Sequence, residues 1–131
     1  MALKTFFTVF AVLAALFGIG FVAAPNEVLA MYGVPGSAHI ALMGRLFGGT
    51  LLAFAVIQWL ARDFHDERAL TALLMGLGIS HVVNLLISVA ATMAGTINAL
   101  GWTTVLIYLC GAVGCGYFLK ERGSVLANRP G

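Results

Sequence analysis

No residue from Ala69 to Leu119 carries a formal charge, and that uncharged run limits the possible folds more than any other feature of the chain. A helix of a soluble domain must turn a polar face to water. This run is long enough for two membrane crossings and offers no such face. Composition agrees: 61% of residues are hydrophobic, 9% are charged and mean hydropathy is +1.02, whereas an ordinary soluble domain is about one-quarter charged. A hydrocarbon slab about 30 Å thick calls for about 20 apolar residues per helix. Four such stretches are visible: Thr5 to Ala24, Ile40 to Ala61, Ala69 to Ala94 and Ala99 to Leu119. They are continuous and do not alternate, which argues for helices and against a barrel strand pattern. The expected fold is all-α, an integral membrane antiparallel four-helix bundle forming a single domain over residues 1–131.

Lys4 ahead of an apolar stretch and the small residues of "FVAAP" imitate a signal peptide, but the uncharged length from Thr5 to Asn26 favours a span. With four spans, Lys4, Arg62, Arg68, Lys120, Arg122 and Arg129 fall on one side and Arg45 near the other. By the positive-inside rule both termini are expected to be cytoplasmic. The net charge of +2 is then a topology signal. A nucleic-acid surface would need a clustered basic face, so no nucleic-acid partner is expected.

Between the first two spans, "APNEVLAMYGVPGSAH" predicts a short helix at the outer interface, with Pro25 closing the first span or beginning a turn, Asn26 as N-cap, Gly33 as terminator and Tyr32 as an anchor at headgroup depth. Gly44 and Gly48, and Gly111 and Gly114, mark faces where helix backbones approach closely, within the chain or between chains. Cys110 and Cys115 are not placed for a disulfide along one helix and are expected to be small packing residues.

The stretch "GISHVVNLLIS" sets His81, Asn84 and Ser88, followed by Thr92, at offsets of three, seven and eleven residues. At about 100° per residue these share one narrow helix stripe, and His81 lies near the middle of the span. Thr50 and Tyr108 are central in their own spans, and Arg45 lies near the outer end of the second. The expected ligand site is an outward-facing recess with Arg45 and Ser88 at its mouth, Asn84 between, and His81 with Tyr108 or Thr50 at its floor. Each member has a structural alternative: Arg45 can snorkel to the interface, and His81, Asn84, Ser88 and Thr92 can bond neighbouring helices.

All five acidic residues, Glu27, Asp63, Asp66, Glu67 and Glu121, lie outside the apolar runs, which speaks against ion pumping and leaves only His81, Tyr108 or Arg45 for acid–base work. No metal-binding cluster is expected. Haem b would need two axial histidines at one depth, and His39 and His65 lie near opposite ends of the second span. A single-histidine tetrapyrrole, or haem shared across a dimer, stays open through His81.

The "EVLAMYG" following Pro25 and the "GRLFGG" from Gly44 to Gly49, set in a four-span layout over nearly the whole chain, resemble the DoxX-like group of small bacterial membrane proteins. The resemblance implies a bacterial inner-membrane location and, for some members, quinone-linked oxidation or a place in a partner complex. The functional expectation is a non-enzymatic binding protein: an accessory subunit of a larger membrane complex, or a bundle binding a quinone or lipid. Its partners are the lipid bilayer and other membrane proteins or further copies of itself. The alternative is a small quinone-linked oxidoreductase or small-molecule carrier.

Overall fold

A computed structural model describes residues 2–127, with side chains to residue 123, and contains five helices: α1 (Leu3–Ala23), α2 (Pro25–Met31), α3 (Ala38–Ala61), α4 (Glu67–Met93) and α5 (Gly101–Ala127). Four of them, all but α2, are long and apolar enough to cross a membrane, so the expected all-α membrane bundle with a short helix between its first two spans is what the chain forms. Arg129 lies outside the described residues.

The helix ends have local causes. The Ser37 hydroxyl accepts the Ile40 amide at 3.1 Å and starts α3. The Asp66 carboxylate accepts the Arg68 and Ala69 amides at 2.8 and 3.0 Å and starts α4, about five residues after α3 ends. Gly33 at φ 78° and Gly95 at φ 71° take the left-handed turns that follow α2 and α4. In one respect the expectation for α2 was wrong: its N-cap is Ala24 with no side-chain bond, Pro25 occupies the first helical turn, and Asn26 lies inside the helix. Proline has no amide N–H to satisfy there, so the helix starts two residues earlier than an asparagine cap would allow.

The bundle is two helix pairs. α1 packs along α3, and α4 packs along α5; between the pairs, α1 meets α5 only briefly and the consecutive helices α3 and α4 have no extended contact. Glycine sets the closeness both within the pairs and between α1 and α5. A Cβ on Gly48 would stand 2.9 Å from the Gly18 carbonyl oxygen and from the Val22 nitrogen, and one on Gly44 would stand 2.9 Å from Pro25. In α5, a Cβ on Gly111 would stand 2.7 Å from the His81 ring, and one on Gly114 would collide with the Phe6 ring. All four predicted packing glycines therefore serve contacts inside the chain. The outward faces carry Leu16, Ile79, Leu86 and Val113, each more than 60% exposed, so the spans are apolar on their outer sides as well, as lipid contact requires.

The two pairs come together at the end that carries Lys4 and the α3–α4 loop, here termed the charged end. Phe6, Phe7, Phe10, Ala61, Leu70, Leu74, Leu77, Cys115 and Phe118 form one buried core drawn from all four spans. The rings of Phe6, Phe10 and Phe118 stack at 4.8 and 5.4 Å. Both cysteines are free, Cys115 buried in this core and Cys110 exposed. Lys4 bonds Asp63 at 2.7 Å and Arg122 bonds Glu67, which ties the ends of each pair.

Candidate functional site

Above the aromatic core the pairs separate around a cavity of about 330 Å³. Its walls are chiefly apolar, with Leu13, Phe17 and Phe21 from α1, Phe47, Leu51 and Phe54 from α3, and Ile107 from α5. The polar wall comes from α4: Ser80, His81, Asn84 and Ser88 all line the cavity, joined by Thr50, Gln58, Thr104 and Tyr108. The helical stripe read from the spacing thus faces the bundle interior. Thr92, one turn further, does not reach the cavity and its hydroxyl donates to the Ser88 carbonyl at 2.7 Å.

Depth can be read from contacts. The Lys4–Asp63 bond aligns α1 with α3. At about 1.5 Å per residue, Phe10 stands about 9 Å above Lys4 and Gln58 about 7.5 Å above Asp63, so the two are nearly level. The Phe10 ring meets the His81 ring edge-on at 5.1 Å, which brings His81 to the same layer. His81 and Gln58 are therefore the floor. The Tyr108 ring lies 5.9 Å from His81 just above it. Thr50 lies eight residues from Gln58 in α3, so at about 12 Å higher it belongs with Ser88 and not with the floor. Its hydroxyl turns back to the Leu46 carbonyl at 3.2 Å.

The far end is closed by α2 and the turn after α4. The hydroxyls of Tyr32 and Thr104 share a hydrogen bond of 2.9 Å. Asn98 donates its side-chain amide to the Met31 carbonyl at 2.8 Å and its backbone amide to the Tyr32 carbonyl at 2.8 Å. Tyr32 is accordingly a lid residue tied to α5, with a role beyond the interface anchor expected from sequence. Arg45 stands apart: it is exposed and is not among the residues that line the cavity. Phe47 and Thr50 line the cavity yet remain exposed, so α3 is the side least covered by neighbouring chain.

The floor carries the unusual chemistry. Neither ring nitrogen of His81 has a hydrogen-bond partner among the described residues, although both are buried. Gln58 is 3% exposed; its amide nitrogen donates to the Phe54 carbonyl at 3.2 Å, while its side-chain oxygen is also buried without a partner. Asn84, by contrast, is occupied, donating to the Ser80 carbonyl at 2.8 Å. Unpaired buried polar atoms cost free energy, and a native chain retains few of them. Of the four such side-chain atoms among the described residues, the Asn26 oxygen lies in α2 and the other three belong to residues at the bottom of this cavity. Gln58 was not foreseen; the only sequence signal was a polar residue in an apolar run, and its position beside the charged loop disguised its depth.

Charge is kept away from the cavity: among the described residues, no Asp, Glu, Lys or Arg lines it. The titratable network lies at the charged end. The hydrogen bond from Lys4, aided by Arg62, holds the Asp63 carboxyl below its ordinary range, and the Ala69 and Arg68 amides do the same for Asp66. No group of three or more His, Cys, Asp or Glu side chains able to hold a metal ion occurs among the described residues. His39 and His65 are exposed and lie at opposite ends of the bundle, away from His81. The arrangement is suited to holding an amphiphile: a mostly apolar wall, a few hydrogen-bonding groups at one depth, and a volume at the lower end of that typical of small-molecule sites. Comparison with protein-family models, with curated proteins and with solved structures gives no match for the chain.

Proposed function

We propose that the chain is a membrane-embedded binding protein that holds a lipid-like or quinone-type amphiphile between its two helix pairs. The observation that carries this reading is the pairless His81 ring at the floor of an apolar cavity of about 330 Å³. A head group seated on the floor would pair with His81 and Gln58, and an apolar body would occupy the space between Phe17, Phe21, Phe47 and Phe54. The layout of four spans with a short helix after the first accords with a DoxX-like origin, which forms part of the proposal. So does placement in a bacterial inner membrane with both termini cytoplasmic, supported by Lys4, Arg62, Arg68, Lys120 and Arg122 at one end.

The test is purification in mild detergent followed by mass spectrometry of extracted small molecules and co-purifying proteins. An amphiphile retained by the native chain and lost from His81→Leu supports the reading. A preparation without any bound amphiphile, held in stoichiometric complex with larger membrane proteins, instead favours an accessory subunit acting through its outer faces.

A second reading, a small oxidoreductase or carrier, is favoured by one contact. The imidazole of His81 on the floor and the phenol of Tyr108 just above it have ring centroids 5.9 Å apart, and could exchange protons with a bound redox head. Arg45 would have no part in holding that head from its exposed position. Turnover of a soluble quinone that is lost in both His81→Leu and Tyr108→Phe would establish it.

A further inference from the structure

We infer that the cavity selects an uncharged amphiphile whose head carries hydroxyl groups, and so discriminates against the carbonyl-only and the charged forms of otherwise similar molecules. The inference rests on the binding reading above and concerns which ligands the floor accepts. It follows from counting the unpaired atoms. A neutral imidazole presents one N–H donor and one bare nitrogen acceptor, and the Gln58 side-chain oxygen is a second acceptor. The floor therefore lacks two donors and one acceptor. Its own hydroxyls do not supply them. Thr50 is turned to its helix backbone, the Tyr32 and Thr104 hydroxyls are joined at the far end, and neither His81 nitrogen nor the Gln58 oxygen has a partner among the described residues.

A hydroxyl both donates and accepts, so a head with two hydroxyls satisfies the whole set, and a head with one satisfies the His81 N–H and one of the two acceptors. A quinone carbonyl only accepts; it pairs with the His81 N–H and leaves both acceptors buried and bare. A phosphate or carboxylate head brings a charge to a wall without Lys or Arg. Two kinds of molecule share the matching chemistry: the reduced, dihydroxy form of a quinone, and a neutral glycerolipid with a free hydroxyl. Gln58 is 97% shielded and its amide nitrogen donates one hydrogen to the Phe54 carbonyl, so its side-chain oxygen keeps its acceptor role as long as that bond holds.

The experiment measures equilibrium binding to the detergent-purified chain, kept anaerobic, for matched probes. Decylbenzoquinol is compared with decylbenzoquinone, dioleoylglycerol with its 3-acetyl ester, and dioleoyl phosphatidylglycerol serves as the charged probe. The expected result is at least tenfold tighter binding of the free-hydroxyl member in one pair, the pair concerned identifying the source, with the charged lipid weakest. Gln58→Leu should reduce that ratio severalfold through weaker binding of the free-hydroxyl member. Equal or tighter binding of decylbenzoquinone and the acetyl ester would overturn the inference and leave the binding reading intact. Failure of every probe to bind would overturn both. Since the selectivity ratio is read first on the unmodified chain, poor folding of the variant could not imitate either result.

Discussion

The two halves of the bundle use the same kinds of residue to opposite effect. At the charged end, Phe6, Phe7 and Phe118 are packed with Leu74 and Cys115 in the buried core; farther along, Phe17, Phe21, Phe47 and Phe54 stand around open volume, with Phe10 at the boundary between the two. Aromatic content does not separate the halves. Backbone spacing does. Gly114 and Gly78 let α1 and α4 come close to α5 in the packed half, whereas nothing draws α3 to α4 in the other, and closure there falls to hydrogen bonds at the lid. In lipid there is little hydrophobic force between helices, so packing contacts and hydrogen bonds decide where the pairs join. Stability should therefore concentrate in the packed half, and tolerance to change in the open one.

The strongest way to break this comparison is Phe6→Ala. Phe6 is 1% exposed and fills the place left by Gly114, so its truncation should lower unfolding stability in detergent by about 3 kcal/mol. A loss no greater than that of a truncation at Phe17, a cavity wall residue, would show that the packed half is not the anchor. Next is the lid. Asn98→Ala removes bonds to the Met31 carbonyl and from the Leu100 amide, with an expected loss of about 1–2 kcal/mol and faster release of any bound amphiphile. An unchanged release rate would show that ligand leaves by another route.

His81→Leu sharpens the contrast in the other direction. Removing unpaired polar atoms should leave the stability of the empty chain unchanged or higher by about 1 kcal/mol, while retention of the amphiphile is lost. A large loss of stability would mean that His81 holds the bundle together. The smallest effect is that of pH at the charged end. Asp63 and Asp66 have carboxyls held below the ordinary value, so both favour the folded chain above the usual carboxylate range, and that contribution disappears as pH falls through their lowered values, below about 4. The acid loss should shrink in Lys4→Met, as followed by thermal unfolding across pH 3–6. Both groups are exposed, so the effect is small and salt-sensitive.

Features set by the chain's local chemistry were legible in advance. Spans appear as uninterrupted apolar runs; the caps at Ser37 and Asp66 lie just outside two of them, and the boundaries moved by no more than two residues except at the end of α5, which runs eight residues past Leu119. The orientation of His81, Asn84 and Ser88 toward one side followed from helix geometry alone. What spacing cannot give is the neighbour. The glycines signalled close approach but not that Gly48 meets Gly18 or that Gly111 seats His81. Asn98 reads as an ordinary turn residue until its contact with Met31, 67 residues away, is known. Gln58 gave no sign in the sequence of lying at a cavity floor, because its depth there depends on the relative height of α1 and α3, which the Lys4–Asp63 bond fixes.

The uncharged wall has a consequence at the scale of the whole membrane. A transmembrane voltage does work only on charge that moves through it, about 2.3 kcal/mol for one elementary charge across 100 mV. With no charged group lining the cavity, a neutral guest can enter or leave without moving charge across the field. Occupancy should then follow the guest's concentration in the bilayer and be indifferent to whether the cell is energised.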